Sequence, residues 1–371
     1  MSECKRYVPV LRFKKAEKDA LAALFQCNID LSGLTPLLEL VPNPFIKASQ
    51  SVNLSLSDIL GDIADSVLMH WGYDRPFFLD LWHLPWDLQK EDEIHPFVTF
   101  NSCALARGLH FIPVTGLDVT RTPAYQSAIS DLVKLNGRGV CFRLLSKDLQ
   151  AANLFDDLDI LLQNLNIGPN DVDLIVDQQY FDGSHSKYIS LSEISERIPF
   201  LQSWRTFTVI CGTFPVNLSD QFKKNTMPLV TRMEWKLWLN QIEPGSKLLR
   251  IPDYGDYTIQ HPIYEYIDEL HTPSANIRYT SSVQWIIMRG ASLGSDQGYE
   301  QYPALAQILC EEKDFCGPDY SVGDKYIYDK SLLMDNPNQG VGTGNPTTWL
   351  QAGINHHIVF VLRQLANLSL T

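Results

Sequence analysis

The chain has 371 residues, of which 45% are hydrophobic and 20% are charged, and its formal net charge at pH 7 is −13. This composition is typical of a folded globular protein with a large core. The acidic balance argues against a general nucleic-acid or anionic-membrane surface, since such surfaces need clustered Lys and Arg. The seven cysteines show no C-x-x-C pair, and no apolar run reaches the roughly 18 residues of a membrane span. We therefore expect a cytoplasmic protein with reduced thiols and no zinc site.

Short apolar segments alternate with helix-like segments along most of the chain. The strand-like segments are 7–14, 34–41, 76–82, 110–117, 139–146, 173–179, 207–214 and 247–254. Apolar strands that alternate with helices indicate a parallel sheet covered on its faces. Eight such units predict an α/β fold, a (β/α)8 barrel of the TIM type. The alternative is an open doubly-wound α/β sheet, although the residues FKKAEKD after the first strand lack the glycine-rich turn typical of that fold.

The residues after the eighth segment have a different character. Residues 277–293 look like an extended pair, residues 298–312 look helical, and a Gly/Asn/Pro-rich loop leads to an apolar terminal helix. We therefore predict a barrel over residues 1–271 and a C-terminal α+β extension over residues 272–371 that packs on the barrel.

Charged side chains recur near the carboxyl ends of the predicted strands, where (β/α)8 barrels carry their active sites. The candidate catalytic residues are Glu39, Asp80, Asp177 and Asp253, and the candidate ligand-binding residues there are Lys14, Arg143 and Tyr254. Because burying an unpaired charge is costly, these groups either pair in a structural network or line a site. In a site, Lys14 and Arg143 would hold an anion such as a phosphate, and the acids would transfer protons or hold Mg²⁺. The cofactor is otherwise unknown.

Two glycine-containing motifs are weaker candidates for a functional site. The residues GASLG at 290–294 match G-x-S-x-G, but no helix follows directly, so we interpret Ser292 as part of a turn. The residues GVGTGNP at 340–346 lack the lysine of a P-loop and the preceding strand of a dinucleotide-binding motif. We interpret them as a loop.

The terminal helix has a polar beginning and an apolar stripe. Thr347 or Thr348 is the predicted N-cap. The stripe contains Ile354, Ile358, Val361, Leu362 and Leu365, and His357 lies on its side as a core histidine. His356 and Arg363 lie seven residues apart on one side of the helix, so both are candidates for ligand binding if the helix closes over the charged strand ends.

Four segments together resemble one known family. They are YVPVLRFKKAEKDALAAL, LTPLLEL, IRYTSSVQWIIMRG and GNPTTWLQAGINHHIVFVLRQLA, and they span nearly the whole chain. The resemblance is to the beta protein family, named for a protein of a temperate satellite phage and widespread in prophages and bacterial genomes. Arg278, within the third segment, completes the candidate ligand-binding residues. Positions that match the family-like pattern are Lys14, Glu39, Asp80, Asp177, Arg278, Tyr279, Trp285, Glu300, Trp349, His356, His357 and Arg363.

The resemblance implies a component of a phage- or prophage-encoded defence or exclusion module, encoded beside a toxic partner gene, and it implies no particular reaction. Two hypotheses follow. The barrel binds or processes a polar ligand, phosphorylated ligands included, at its charged mouth. Alternatively, the chain is a non-catalytic interaction protein that senses, neutralises or assembles with the toxic partner protein, and its charges are structural.

Overall fold

The computed structural model describes residues 6–42, 55–84, 94–183, 188–243, 245–264, 272–335 and 341–368. Its strands are β1 (Tyr7–Leu11), β2 (Leu37–Glu39), β3 (Pro76–Asp80), β4 (His110–Thr115), β5 (Val140–Leu145), β6 (Val172–Tyr180), β7 (Thr206–Gly212), β8 (Leu229–Thr231), β9 (Asp253–Asp256), β10 (Ser274–Thr280) and β11 (Gln284–Ser292). Strands β1 to β7 and β9 close into a parallel barrel in chain order, with β9 pairing β1. This closed ring confirms the predicted (β/α)8 fold, and the open doubly-wound alternative is wrong.

Helices cover the outside of the barrel and one face of a smaller sheet. In the described residues they are α1 (Lys15–Leu24), α2 (Leu56–His70), α3 (Pro96–Ala106), α4 (Pro123–Asn136), α5 (Ser146–Leu149), α6 (Leu154–Leu165), α7 (Leu191–Arg197), α8 (Leu218–Gln221), α9 (Met233–Gln241), α10 (Gln301–Glu311), α11 (Val322–Ser331) and α12 (Pro346–Ala366).

The two faces of the barrel strands follow the period of two that strand geometry imposes. The apolar core inside the barrel contains Val8, Val10, Leu37, Phe78, Val114, Cys141, Ile175 and Ile210. A residue two positions beyond an inner apolar residue also faces inward. The pairs that follow this rule are Leu37 and Glu39, Phe78 and Asp80, Cys141 and Arg143, and Ile175 and Asp177. Four charged side chains are thereby directed into the barrel at its carboxyl end, which we call the mouth.

The eighth barrel strand lies later in the chain than predicted. The predicted segment 247–254 overlaps β9 only at Asp253 and Tyr254, and Leu249 within it is 66% exposed. Pro252 explains the difference, since proline has no N–H to donate to a central strand, and β9 starts directly after it. Asp253 and Tyr254 consequently open the strand instead of closing it.

The smaller antiparallel sheet has the order β10-β11-β8 and packs against α10 and α12. It contacts α11 through the hydrogen bond that the Tyr279 hydroxyl donates to Asp324. The extended pair expected over 277–293 is the hairpin β10–β11, and the helix expected over 298–312 is α10. Strand β8 pairs with β11 although it precedes residue 271 in the chain. The sheet has its own apolar core, which includes Ile277, Tyr279, Met288, Tyr302 and Trp349.

Helix α12 begins with a cap that differs from the prediction. The N-cap is Asn345, whose side chain accepts hydrogen bonds from the N–H groups of Thr347 (2.9 Å) and Thr348 (3.2 Å). The choice of Thr347 or Thr348 was wrong because Pro346, with its fixed φ and no N–H, takes the first helical position. Thr348 instead closes a capping box by accepting from the Asn345 N–H.

Helix α12 packs on the outside of the barrel, against α1, β1 and β10. Its apolar residues Ile354, Ile358 and Leu362 join the large core between the barrel strands and the outer helices. Gly353 is required at this contact, since a Cβ there would lie 2.5 Å from the Arg278 carbonyl oxygen. The helix therefore covers the seam between β1 and β9, away from the mouth.

Candidate functional site

The guanidinium of Arg143 lies at the centre of the mouth and links three acids from three other strands. Its Nε and Nη2 donate to Asp177 Oδ2 at 2.9 and 2.6 Å, and its Nη1 donates to Glu39 Oε1 at 2.8 Å and Asp80 Oδ2 at 2.9 Å. Nη2 also donates to the hydroxyl of Tyr257 at 2.9 Å. All five residues are at most 3% exposed. We call this group the mouth network.

Asp80 and Asp177 each lie where the backbone of their strand turns, at the end of β3 and at a bulge in β6. Asp80 Oδ1 accepts from the N–H of Trp82 at 2.9 Å, and Asp177 Oδ1 accepts from the N–H of Gln179 at 2.8 Å. An aspartate that binds the backbone two residues ahead turns the chain. In Asp80 this contact turns the chain where β3 ends, and in Asp177 it lies at the bulge that interrupts β6 before Tyr180. The other oxygen of each aspartate contacts Arg143. Gln179 has a φ of 53°, a left-handed conformation uncommon for a residue with a side chain.

Further cations and one histidine surround the mouth network. Arg121 holds both oxygens of Asp80, at 2.8 and 3.0 Å. The Nε of Arg12 lies 4.0 Å from Glu39 Oε2, and the Nε2 of His83 lies 3.2 Å from the same oxygen. Three arginines thus face three carboxylates, and the formal charges of these six side chains balance.

These contacts keep the acids ionised despite their burial. Burial by itself would raise the pKa of Glu39, but Arg143 and the hydrogen bond from His83 hold that pKa well below its usual range. Burial opposes ionisation of Asp80 in the same way, and Arg121 and Arg143 together lower its pKa. The two carboxylates are consequently charged at neutral pH.

Aromatic side chains lie over the mouth network on its outer side. The ring of Trp82 lies 4.8 Å from the Arg143 guanidinium and stacks on His83 with centroids 5.7 Å apart. The ring of Tyr264 lies 5.1 Å from His83, 5.3 Å from the Arg12 guanidinium and 4.7 Å from the Lys14 ammonium. Trp82, His83 and Tyr264 are partly exposed. The charged layer is thus bordered by flat, partly accessible faces.

Lys14 lies beside this aromatic border, as the N-cap residue of α1. Burial lowers its pKa, and the nearby Glu17 partly opposes that effect. No acid of the described residues lies within ion-pairing distance of its ammonium group. Of the predicted site residues, the structure brings Lys14, Glu39, Asp80, Arg143 and Asp177 together at the mouth.

Asp253 and Tyr254 lie elsewhere, as their position at the start of β9 requires. Asp253 Oδ1 accepts from the N–H of Arg6, directly before β1, at the amino end of the barrel. Tyr254 is 1% exposed and its ring packs edge-on against both Trp235 and Trp238 of α9. Neither side chain reaches the mouth, because the strand begins at Asp253.

Arg278, His356 and Arg363 are also held away from the mouth network. Arg278 donates to the carbonyl of Ile259 at 2.9 Å, and Arg363 lies 4.0 Å from the ring of Tyr320. His356 is fully buried, with Nδ1 2.8 Å from Asp324 and Nε2 2.8 Å from the Thr280 carbonyl oxygen. The condition that α12 closes over the strand ends is not met, since α12 packs on the outer face of the barrel.

His357 links the barrel to the small sheet. Its Nε2 lies 2.9 Å from Asp256 Oδ2 on β9, and its Nδ1 lies 2.8 Å from Thr280 Oγ1 on β10. Asp256 also accepts from the Tyr7 hydroxyl at 2.7 Å. Burial lowers the pKa of His357, and Asp256 opposes that shift. The residue is a core histidine with both ring nitrogens hydrogen-bonded.

The other motifs do not add to the mouth. Ser292 ends β11, and its hydroxyl accepts from the N–H of Gly294 in the turn that follows. Gly340 lies outside the described residues, and the carbonyl of Gly342 accepts from Lys330. Within the described ranges, no group of three or more His, Cys, Asp and Glu side chains could hold a metal ion. At the mouth, the acids instead converge on the Arg143 guanidinium.

Besides the aromatic residues Trp82 and Tyr264, four polar or charged residues of the mouth were not predicted. Arg12 and Tyr257 each follow an inner position by two residues, so strand alternation could have found them once the strand bounds were known. His83 and Arg121 come from loops, where no periodic signal exists.

Sequence comparison gives one family and no individual relative. The family model described as Beta protein matches residues 7–363. No curated protein matches the chain. Among the described helices, none is long and apolar enough to cross a membrane.

Proposed function

Because the chain belongs to the beta protein family, we propose that it is a component of an anti-phage defence or exclusion module encoded by a phage or prophage. In this proposal it acts in the cytoplasm beside a protein partner encoded by a neighbouring gene. Its mouth binds or processes a polar ligand, with phosphorylated compounds included in that class.

The mouth network is the observation that carries the ligand proposal. Arg143, Glu39, Asp80 and Asp177 are at most 3% exposed, and each buried ion costs several kcal/mol in lost hydration. Interior layers of such barrels are ordinarily filled by Val, Ile and Leu, which would stabilise the fold without that cost. A charged layer at the end of the barrel where ligands bind is therefore better explained by a polar ligand than by stability.

The groups outside the mouth network suit an anionic, partly planar ligand. Lys14 and Arg12 supply positive charge next to the ring of Tyr264. The partly exposed ring of Trp82 supplies a flat apolar face. An anion near the two cations and a ring or sugar on the aromatic faces would use both kinds of group.

A second candidate function is a non-catalytic interaction protein that senses, neutralises or assembles with a toxic partner. The observation that favours it is the complete pairing of the acids: Glu39, Asp80 and Asp177 each contact at least one arginine. Under this alternative the mouth network is structural. Stable co-purification with the neighbouring gene product would support it.

The deciding experiment compares two identical substitutions on β6. Asp177→Asn alters the mouth, and Asp173→Asn alters the amino end of the same strand. Asp173 is 2% exposed and accepts from Arg205 at 2.7 Å and from Thr206 at 2.8 Å, so it is a matched buried carboxylate that is paired with an arginine. The readouts are thermal stability and phage plating on cells that express the chain with its neighbouring gene.

We expect both variants to lose stability and only Asp177→Asn to lose exclusion. Tyr257→Phe, which removes only the hydroxyl bonded to Asp177 at 2.6 Å, is the milder substitute if Asp177→Asn does not fold. If the mouth variants fold and exclude phage to the same degree as Asp173→Asn, a functional mouth is refuted. That result would favour the interaction protein.

A further inference from the structure

We propose that His83 is the group that moves protons at the mouth, and that Glu39 is its positioning residue. The inference rests on the proposed function, because it assigns a role within the same site. His83 follows β3 by three residues, directly after the tryptophan that covers Arg143.

The contact with Glu39 determines the tautomer of the His83 imidazole. His83 Nε2 lies 3.2 Å from Glu39 Oε2, while the other oxygen of Glu39 is held by Arg143 at 2.8 Å. An ionised carboxylate accepts hydrogen bonds only, so Nε2 carries the proton and donates. The lone pair is then on Nδ1, which has no hydrogen-bond partner within the described part of the chain. A carboxylate that orients a histidine in one tautomer is the arrangement used for general acid–base catalysis.

Exposure also singles out His83. Its side chain is 19% exposed, whereas the side chains of Glu39, Arg143 and Arg121 are 1 to 3% exposed. The ring is held between Trp82 and Tyr264, with centroids 5.7 and 5.1 Å away. His83 is thus a fixed, accessible base at the outer edge of a buried charged layer.

Three other histidines in the described part of the chain lack this combination. His356 and His357 are fully buried and use both ring nitrogens in hydrogen bonds. Burial lowers the pKa of His95 to about 4, and its Nδ1 accepts from the N–H of Phe97. These three residues serve packing and capping.

The step needs no further reagent. Nδ1 of the neutral imidazole takes a proton from an O–H group, either a hydroxyl of the ligand or a water molecule. The resulting imidazolium donates through Nε2–H to Glu39, whose negative charge stabilises it. The oxygen that lost the proton forms a bond to the carbon or phosphorus atom of an ester group of the ligand, and the bond from that atom to the leaving oxygen breaks. The imidazolium passes its proton to this leaving oxygen, so His83 returns to its initial state. The ligand class is therefore an ester with an anionic group near Lys14.

The test uses a substitution that separates structure from proton transfer. In His83→Gln the amide nitrogen can still donate to Glu39, but the side chain cannot accept and release a proton at neutral pH. A purely structural role is preserved in this variant. The matched control is His110→Gln, since His110 is exposed and lies at the amino end of β4. The readouts are plating, thermal stability and the tautomer of His83 by nitrogen-15 NMR.

The proposal predicts the Nε2–H tautomer in the wild-type chain and a mixture of tautomers in Glu39→Gln. It also predicts that His83→Gln remains folded and loses exclusion as fully as Asp177→Asn does, while His110→Gln keeps it. An active His83→Gln beside an inactive Asp177→Asn would overturn the role of His83 and leave the functional mouth standing. Activity in both would overturn the proposed function too. An Nδ1–H tautomer in the wild type would overturn the proposed pairing of His83 with Glu39.

Discussion

Replacing Arg143 by methionine tests how the mouth network is stabilised. Methionine keeps much of the length and apolar volume of arginine but removes all five of its hydrogen bonds to Glu39, Asp80, Asp177 and Tyr257. The substitution leaves the acids buried and removes the cation they share.

The expected loss of stability depends on the partner that each acid keeps in the Arg143→Met variant. Asp80 retains Arg121, Asp177 retains the Tyr257 hydroxyl, and Glu39 retains His83. The loss should therefore match one broken buried ion pair, about 3–5 kcal/mol, and not three. With an unfolding entropy of about 2.1 cal/mol/K per residue, this lowers Tm by about 4–6 °C.

The pH dependence has a defined sign. In the wild type, the pKa values of Glu39 and Asp80 are lowered, so these acids stabilise the fold above their ordinary values of 4.5 and 3.8 and lose that effect as the pH falls. In the Arg143→Met variant, burial dominates at Glu39 and favours the protonated form. The difference in stability between wild type and variant should thus be largest near pH 8 and should narrow toward pH 5.

Thermal and urea unfolding at pH 8 and pH 5 measure this difference. Arg205→Met is the control, since Arg205 pairs with Asp173 but its side chain is 31% exposed, and we expect a smaller loss there. An Arg143→Met variant as stable as the wild type at pH 8 would refute the reasoning, as would a difference that stays constant down to pH 5.

Two further predictions concern other polar side chains. Burial raises the pKa of Glu234 to about 7, and Arg232 opposes that shift, so its protonated form stabilises the fold fully below pH 4.5 and this contribution is lost as the pH rises toward 7. The stability of Glu234→Gln relative to the wild type, measured by urea unfolding, should therefore rise by up to about 3 kcal/mol between pH 5 and pH 8. The same stability difference at both pH values would contradict the raised pKa of Glu234. Asn345→Ala should lose about 1 kcal/mol in the same assay, because it removes the cap of α12, and no loss would show that the cap contributes nothing.

The fold was largely predictable because the alternation of apolar strands with helices recurs along the chain. Seven of the eight predicted barrel strands cover all or most of an observed strand, as the predicted segment 139–146 covers β5 (Val140–Leu145). The eighth was displaced because Leu248 and Leu249 look like a strand by hydrophobicity alone. Pro252 was the contrary signal, and it decides the boundary through its missing N–H.

The site was predictable only where a side chain belongs to a strand. Glu39, Asp80 and Asp177 interrupt apolar runs, and alternation brings them to one face of the barrel. The prediction for Tyr254 was wrong for the same reason as the prediction of the eighth strand. A shift in the strand bounds moves a residue from one end of the barrel to the other. His83 reaches Glu39 from a loop, and 44 residues separate the two, so only the tertiary structure brings them together.

The segment that follows β9 connects the mouth with the extension. Tyr257 belongs to the mouth network, Arg12 donates to the carbonyls of His261 and Pro262, and Arg278 of β10 donates to the carbonyl of Ile259. One short stretch of chain is thus held from both sides. A ligand that displaced Tyr257 or Arg12 would disturb the contact of this segment with the small sheet. A ligand bound at the mouth and a protein bound to the extension would therefore act on the same stretch of backbone.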